Sequence, residues 1–209
     1  MALEYRQEGP DPADALLILA HGAGQGMDSP FMSTIARLLA EKGIRVARFN
    51  FPYMTQHIAS GRKRPPDREA KLLEHWRQVI MEVGNNPSGK LFIGGKSMGG
   101  RIASLIADEM QVAGLICLGY PFHPPGKPDR LRTAHLAGLQ TPSLICQGER
   151  DSFGRRGEVE QYALSPAIRL HWLADGDHSF KPRKSSGLTF ADNLTAAARA
   201  VHSFIRELA

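Results

Sequence analysis

Lys90-Leu91-Phe92-Ile93-Gly94-Gly95-Lys96-Ser97-Met98-Gly99-Gly100-Arg101 reads as a short buried strand, a tight glycine-rich turn carrying one serine, and the first turn of a helix. Gly95-Lys96-Ser97-Met98-Gly99 fits G-x-S-x-G, a pattern in which serine sits on a strained strand-to-helix turn and the glycines let the two backbones pass closely. The surroundings agree with it, because an apolar run precedes the turn and Arg101 to Met110 places apolar residues at helical spacing. A hydroxyl on such a turn is pushed out of the sheet. Ser97 is therefore the candidate nucleophile, and the N–H of Met98, at the start of the helix, is a candidate donor to an oxyanion formed on the attacked group.

On the amino-terminal side, Ala15 to Ala20 is a continuous apolar run suited to a central parallel strand covered on both faces, and it ends in His21-Gly22-Ala23-Gly24. Ala23 is the candidate second oxyanion donor, and Gly22 and Gly24 let the backbone approach a substrate, which makes Gly22 a candidate pocket residue. Ser29-Pro30 opens a helix with a buried stripe at Ile35, Leu38 and Leu39, closed at Gly43. Ile44 to Phe51 is the next strand. It delivers Pro52-Tyr53-Met54 to the carboxyl edge, where open α/β sheets bind ligands, so Tyr53 is also a candidate pocket residue, with a packing role as the alternative. Thr55 to Pro66 is polar, basic and broken by Gly61, Pro65 and Pro66, which predicts a mobile surface loop. Asp67 is expected to cap a helix reaching Val83, with Leu72, Leu73, Trp76, Val79 and Ile80 inward.

On the carboxyl-terminal side, Val112 to Tyr120 reads as a strand running into the rigid segment Pro121 to Pro128, followed by a short helix around Leu131 to Leu136 and a strand over Pro142 to Gln147. The interval between these strands is too short for a cap domain. The second strand ends in Gly148-Glu149-Arg150-Asp151-Ser152-Phe153-Gly154, and the strand Ile168 to Leu173 ends in Ala174-Asp175-Gly176-Asp177-His178-Ser179-Phe180. Asp151 and His178 are the candidate acid and base, in the chain order Ser, Asp, His. Serine needs a base to take its proton, imidazole titrates near working pH, and a buried carboxylate fixes its tautomer. Glu149 is the main rival acid; Asp175 and Asp177 are weaker because they share the histidine's loop. Lys96 is a candidate pocket cation whose stem is expected to pack outside. Ala191 to Leu208 forms a last amphipathic helix, and the alternation of strands and helices predicts a right-handed, mostly parallel sheet covered on both faces.

With 209 residues, 42% hydrophobic and 22% charged, the chain is expected to form a single domain spanning 1–209. No segment has the apolar length of a membrane span, and Met1 to Pro10 lacks the basic-then-apolar order of a secretory signal, so a cytoplasmic location is expected. Cys117 and Cys146 each sit inside an apolar strand as buried free thiols. The net charge of +5 gathers at Arg62-Lys63-Arg64, Arg155-Arg156 and Lys181-Pro182-Arg183-Lys184, either as solvated loops or, for the first and last, as a rim that favours anionic substrates. No nucleic-acid motif, H-E-x-x-H, clustered cysteines or calcium loop is present, so no cofactor and no metal are expected. The expected partners are a small-molecule acyl substrate and at most a second copy of the chain in a homodimer, with no nucleic acid and no membrane.

His21-Gly22-Ala23-Gly24, the elbow Gly94 to Arg101, Gly119 to Pro128, Gln147 to Asp151 and Gly176 to Phe180 together give the chain its resemblance. It resembles the small, uncapped α/β-hydrolases related to dienelactone hydrolase, over nearly its whole length. Within them it is most similar to the predicted-hydrolase group that includes the testis-expressed protein and the hydrolase-fold subunit of an animal histone acetyltransferase complex. The more specific carriers are the elbow, with lysine before serine and Gly99-Gly100-Arg101 after methionine, and His123-Pro124-Pro125-Gly126-Lys127-Pro128. The resemblance implies the α/β-hydrolase fold without a cap and the Ser97, Asp151, His178 triad. Dienelactone hydrolase itself carries cysteine where this chain has Ser97, so fold and triad are implied more firmly than lactone chemistry. A serine hydrolase cleaving an ester, thioester or related acyl bond is the expected activity. A binding or scaffolding protein on the same fold is the alternative.

Overall fold

The apolar runs become strands of one sheet. The computed structural model describes residues 3–84 and 89–209, so Met1 and Ala2 of the amino-terminal stretch lie outside it. The strands are β1 (Tyr5–Glu8), β2 (Ala15–Ala20), β3 (Arg45–Phe49), β4 (Lys90–Lys96), β5 (Gly114–Leu118), β6 (Ser143–Gly148) and β7 (Ile168–Leu173), in the spatial order β1-β3-β2-β4-β5-β6-β7. All neighbours pair in parallel except β1 with β3. β2 lies between β3 and β4 and is buried at every residue, as a strand covered on both faces must be. Its alternate side chains feed two cores. Leu16, Ile18 and Ala20 pack with Trp76 and Ile102, whereas Ala15, Leu17 and Leu19 pack with Ile35, Leu39, Val201 and Ile205.

The helices are α1 (Pro30–Ala40), α2 (Pro52–Ser60), α3 (Glu69–Val83), α4 (Met98–Ser104), α5 (Arg156–Val159) and α6 (Phe190–Leu208). α1 and α6 cover one face, and α3 and α4 the other. Among the described residues, no helix is long and apolar enough to cross a membrane. The connection from β5 to β6 holds only a 3-10 turn, Leu136–Gly138, so no cap covers the carboxyl edge there.

Four local expectations are corrected. Residues 55–60, expected as loop, belong to a helix that starts at Pro52, because Pro52 presets the first turn, Tyr53 and Met54 bury one side, and Gly61 closes the helix at φ 65. Their polar residues form the solvent face; only the exposed stretch after Gly61 is irregular. Asp67 does not cap α3, whose N-cap is Arg68: its carboxylate instead accepts the Tyr53 N–H at 3.1 Å and pairs with Lys71 at 2.8 Å. Leu131 to His135 is not helical, because Arg132 is drawn onto the proline-rich segment, its N–H donating to the Phe122 carbonyl (2.7 Å) and its carbonyl accepting the Tyr120 hydroxyl (2.9 Å). The elbow helix stops at Ser104 and continues as turns that end at Gln111, φ 49.

Four of the described elements gave no clear sequence signal. β1 is an exposed edge strand with no apolar alternation, and α5 and the 3-10 turns Leu136–Gly138 and Lys184–Ser186 are too short to show a period. Cys117 and Cys146 are free and buried on adjacent strands. They belong to opposite faces of the sheet, which keeps their sulfurs apart.

Candidate active site

Because β2, β4, β6 and β7 run parallel, the loops after them meet at one edge, and these loops carry Ala23, Ser97, Asp151 and His178. Ser97 has φ 51 and ψ −116, a conformation that costs a non-glycine residue energy and persists only when its surroundings impose it. The surroundings are visible. Its N–H is tied to the Leu118 carbonyl at 3.0 Å, and the flanking backbones are too close for side chains. A Cβ on Gly95 would lie 2.3 Å from the Ala20 carbonyl oxygen, and one on Gly99 would lie 2.5 Å from the same atom.

The Ser97 hydroxyl lies 2.9 Å from His178 Nε2, and His178 Nδ1 lies 2.8 Å from Asp151 Oδ2. A carboxylate can only accept, so Nδ1 carries the proton and Nε2 is left free to accept from Ser97. Asp151 is fully buried, and its oxygens also accept from the Gln147 side-chain amide (2.9 Å) and the Phe153 N–H (2.8 Å). Burial pushes the His178 imidazole below the ordinary histidine range; the bond to Asp151 opposes this, and the Lys96 charge adds to it. The rival acids are engaged elsewhere. Glu149 pairs with Arg156 at 3.0 Å and accepts the Asp175 N–H at 3.0 Å. Asp175 is held by Arg150 and Arg183, and Asp177 accepts the N–H groups of Ser179 and Lys181.

Ser97 and His178 open onto a cavity of about 270 Å³ whose other walls include Gly22, Ala23, Phe31 and Phe153. Met98 is the first residue of α4, so its N–H has no partner within the helix. Two pocket expectations change. Tyr53 does not line the cavity but is buried behind it, its hydroxyl donating to the Ala23 carbonyl at 3.0 Å. Lys96 does line it, and its stem does not pack outside: the residue is 8% exposed, and its ammonium donates to the His178 carbonyl at 2.6 Å. Neither Arg62-Lys63-Arg64 nor Lys181-Pro182-Arg183-Lys184 contributes to the lining, and Arg183 is drawn to Asp175.

Sequence reasoning missed three supporting side chains. Gln147 bridges the segment after β5 and the acid's loop, accepting the Tyr120 N–H (2.7 Å) while donating to Asp151. A lone amide closing an apolar strand was the available signal. His21 accepts the Phe51 N–H (3.1 Å) and holds the Gly22 carbonyl (2.6 Å), joining the loops after β2 and β3; burial lowers it to about 4, so it stays neutral. Phe153 stacks on the His178 ring, centroids 4.1 Å apart and planes at 29°. Nothing in its sequence context marks it.

A family model described as an alpha/beta hydrolase domain matches residues 13–206. Among solved structures, the chain is similar to an alpha-beta serine hydrolase homologue from Coxiella burnetii, with 21% identity and TM-score 0.73, covering 99% of this chain and 92% of that one. It is also similar to a serine hydrolase without a lid from Xanthomonas campestris, with 22% identity and TM-score 0.73 over 97% and 89% of the two chains. Dienelactone hydrolase from Anabaena variabilis matches at 20% identity and TM-score 0.73, over 99% and 92%. These structural likenesses bear on the fold.

Proposed function

We propose that this chain, which belongs to the alpha/beta hydrolase domain family, is a serine hydrolase that cleaves an ester, thioester or related acyl bond through an acyl-enzyme on Ser97. One observation carries the reading: the hydrogen-bonded relay from Ser97 through His178 to Asp151, at 2.9 and 2.8 Å, stands in the wall of an open cavity. The Ser97 oxygen attacks the acyl carbonyl carbon as its proton passes to His178 Nε2. Asp151 stabilises the imidazolium that forms. The carbonyl oxygen, now an oxyanion, is held by the N–H groups of Ala23 and Met98. Collapse expels the leaving group, which takes the proton from His178. Water then attacks the acyl-enzyme, again giving a proton to His178, and the acid departs as Ser97 recovers its proton.

The finer kinship, with the group that includes the testis-expressed protein and the histone acetyltransferase subunit, rests on Lys96, Gly99-Gly100-Arg101 and His123 to Pro128. A scaffold of that kind needs no turnover. The test is hydrolysis of short-chain p-nitrophenyl esters and acyl thioesters by the wild type and by Ser97→Ala. Wild-type turnover that falls by roughly 10³-fold or more in the variant supports the hydrolase. Equal rates in the two proteins overturn it.

A further inference from the structure

Lys96 is a lysine that the nucleophile, base and acid do not account for. Burying an ammonium is costly unless strong partners replace its water. Its partners are a carbonyl and two ring faces: it donates to the His178 carbonyl at 2.6 Å and lies 5.5 Å from the Phe31 centroid and 5.8 Å from that of Phe180. The groups whose charges act on it are Asp151, on the loop after β6, and Asp177, on the loop after β7.

We infer that Lys96 is a positioning residue for the reaction on Ser97, its ammonium tying the loop of His178 to the nucleophile's own strand and holding the imidazole in its neutral, proton-accepting form. The inference rests on the triad reading above. The tether follows from connectivity. The turn that carries His178 is closed by Asp177 N–H to the Lys181 carbonyl (3.0 Å) and Phe180 N–H to the Asp177 carbonyl (2.9 Å), and is tied to the Arg150 loop at the Gly176 carbonyl (2.9 Å) and to α6 by Asn193 at the Phe180 carbonyl (2.8 Å); none of these bonds reaches the nucleophile's strand. Lys96 is adjacent to Ser97 in the chain, so its bond to the His178 carbonyl links base and nucleophile through one residue. The turn after β5 makes room for that bond. Gly119 has φ 68, and a Cβ there would lie 2.8 Å from the Lys96 nitrogen and 2.9 Å from the His178 oxygen.

The charge does the second part. Asp151 and Asp177 both favour a protonated His178, which could not accept from Ser97; the cation on Lys96 opposes them. Lys96 is itself brought down to about 8 by burial, with Asp151 and Asp177 opposing, so its charge is present through the neutral range and is lost above it.

The experiment follows the His178 ring by NMR from pH 4 to 10 in the wild type and in Lys96→Met, which keeps the stem and removes the charge, with signals assigned by their loss in His178→Asn. Ester turnover is measured over the same range. The wild-type ring is expected to show its own titration and a second, smaller inflection near 8 as Lys96 loses its proton. In Lys96→Met the second inflection disappears. The His178 midpoint and the acid limb of kcat/KM both move to higher pH, a displacement that a merely structural lysine would not cause. An unmoved midpoint overturns the inference. Should Lys96→Met not fold, Lys96→Gln is read in the same way, and an unmoved His178 midpoint in it overturns the inference as well. Wild-type protein without turnover contradicts the triad reading separately, while the ring titration still decides whether Lys96 acts on His178.

Discussion

Asp151→Asn is expected to cut kcat by about 10⁴, because an amide in that place favours the wrong imidazole tautomer and cannot stabilise the imidazolium. Glu149→Gln is expected to leave kcat nearly unchanged, since that carboxylate faces Arg156 and the Asp175 N–H. Steady-state kinetics of the two variants check the pair, and the reverse ranking would move the acid. The pH dependence has a definite sign. His178 must be neutral to accept a proton, so kcat/KM should rise with pH, and burial places the midpoint below the ordinary histidine value of about 6.5. A profile flat from pH 4 to 8 would contradict this. That Ser97, Asp151 and His178 would come together at one sheet edge was legible because each follows a strand end that the apolar runs mark. For Tyr53, left between lining and packing, and for the stem of Lys96, expected to pack outside, the sequence did not settle the orientation, because both side chains are amphipathic. Position alone does not say whether such a side chain points into the cavity or supports it from behind, as Tyr53 does through the Ala23 carbonyl.

The elbow works as a unit of two elements rather than as a motif. β4 and α4 pass so near the end of β2 that the Ala20 carbonyl lies within 2.5 Å of where a Cβ on Gly95 or Gly99 would sit. Gly99→Ala is therefore expected to destabilise the protein by roughly 1–3 kcal/mol as the backbones separate, and to lower kcat by shifting Ser97 relative to His178. Equilibrium denaturation and kinetics measure both, and an unchanged midpoint with unchanged kcat would contradict the close approach. At this scale the long elements were read well, because β2 is a continuous buried run and α1, α3 and α6 bury clear stripes. Residues 55–60 were read as loop because Arg62-Lys63-Arg64 and the prolines beyond Gly61 set the local composition. Only Tyr53 and Met54 of that helix are buried, too few for a period to emerge. The Leu131 segment failed for another reason: its backbone finds partners in residues 120–122, about ten positions away, which no local pattern encodes.

For the whole molecule, parallel pairing is what turns separate strand-end loops into one site, since it brings the ends of β2, β4, β6 and β7 to a common edge. That much followed from alternating strands and helices. The shape of the cavity did not, because Phe31 enters from α1 and Phe153 from the acid's loop, and their meeting depends on packing across the fold. The account's central claim is that this assembly activates Ser97, and covalent labelling by a fluorophosphonate tests it most directly, because the reagent requires a nucleophile, a base within reach and donors for the developing oxyanion. The expected result is one label per folded chain, mapped by mass spectrometry to Ser97, absent in Ser97→Ala and largely lost in His178→Ala. Folded protein that takes no label, or that labels equally well after His178→Ala, would contradict the claim.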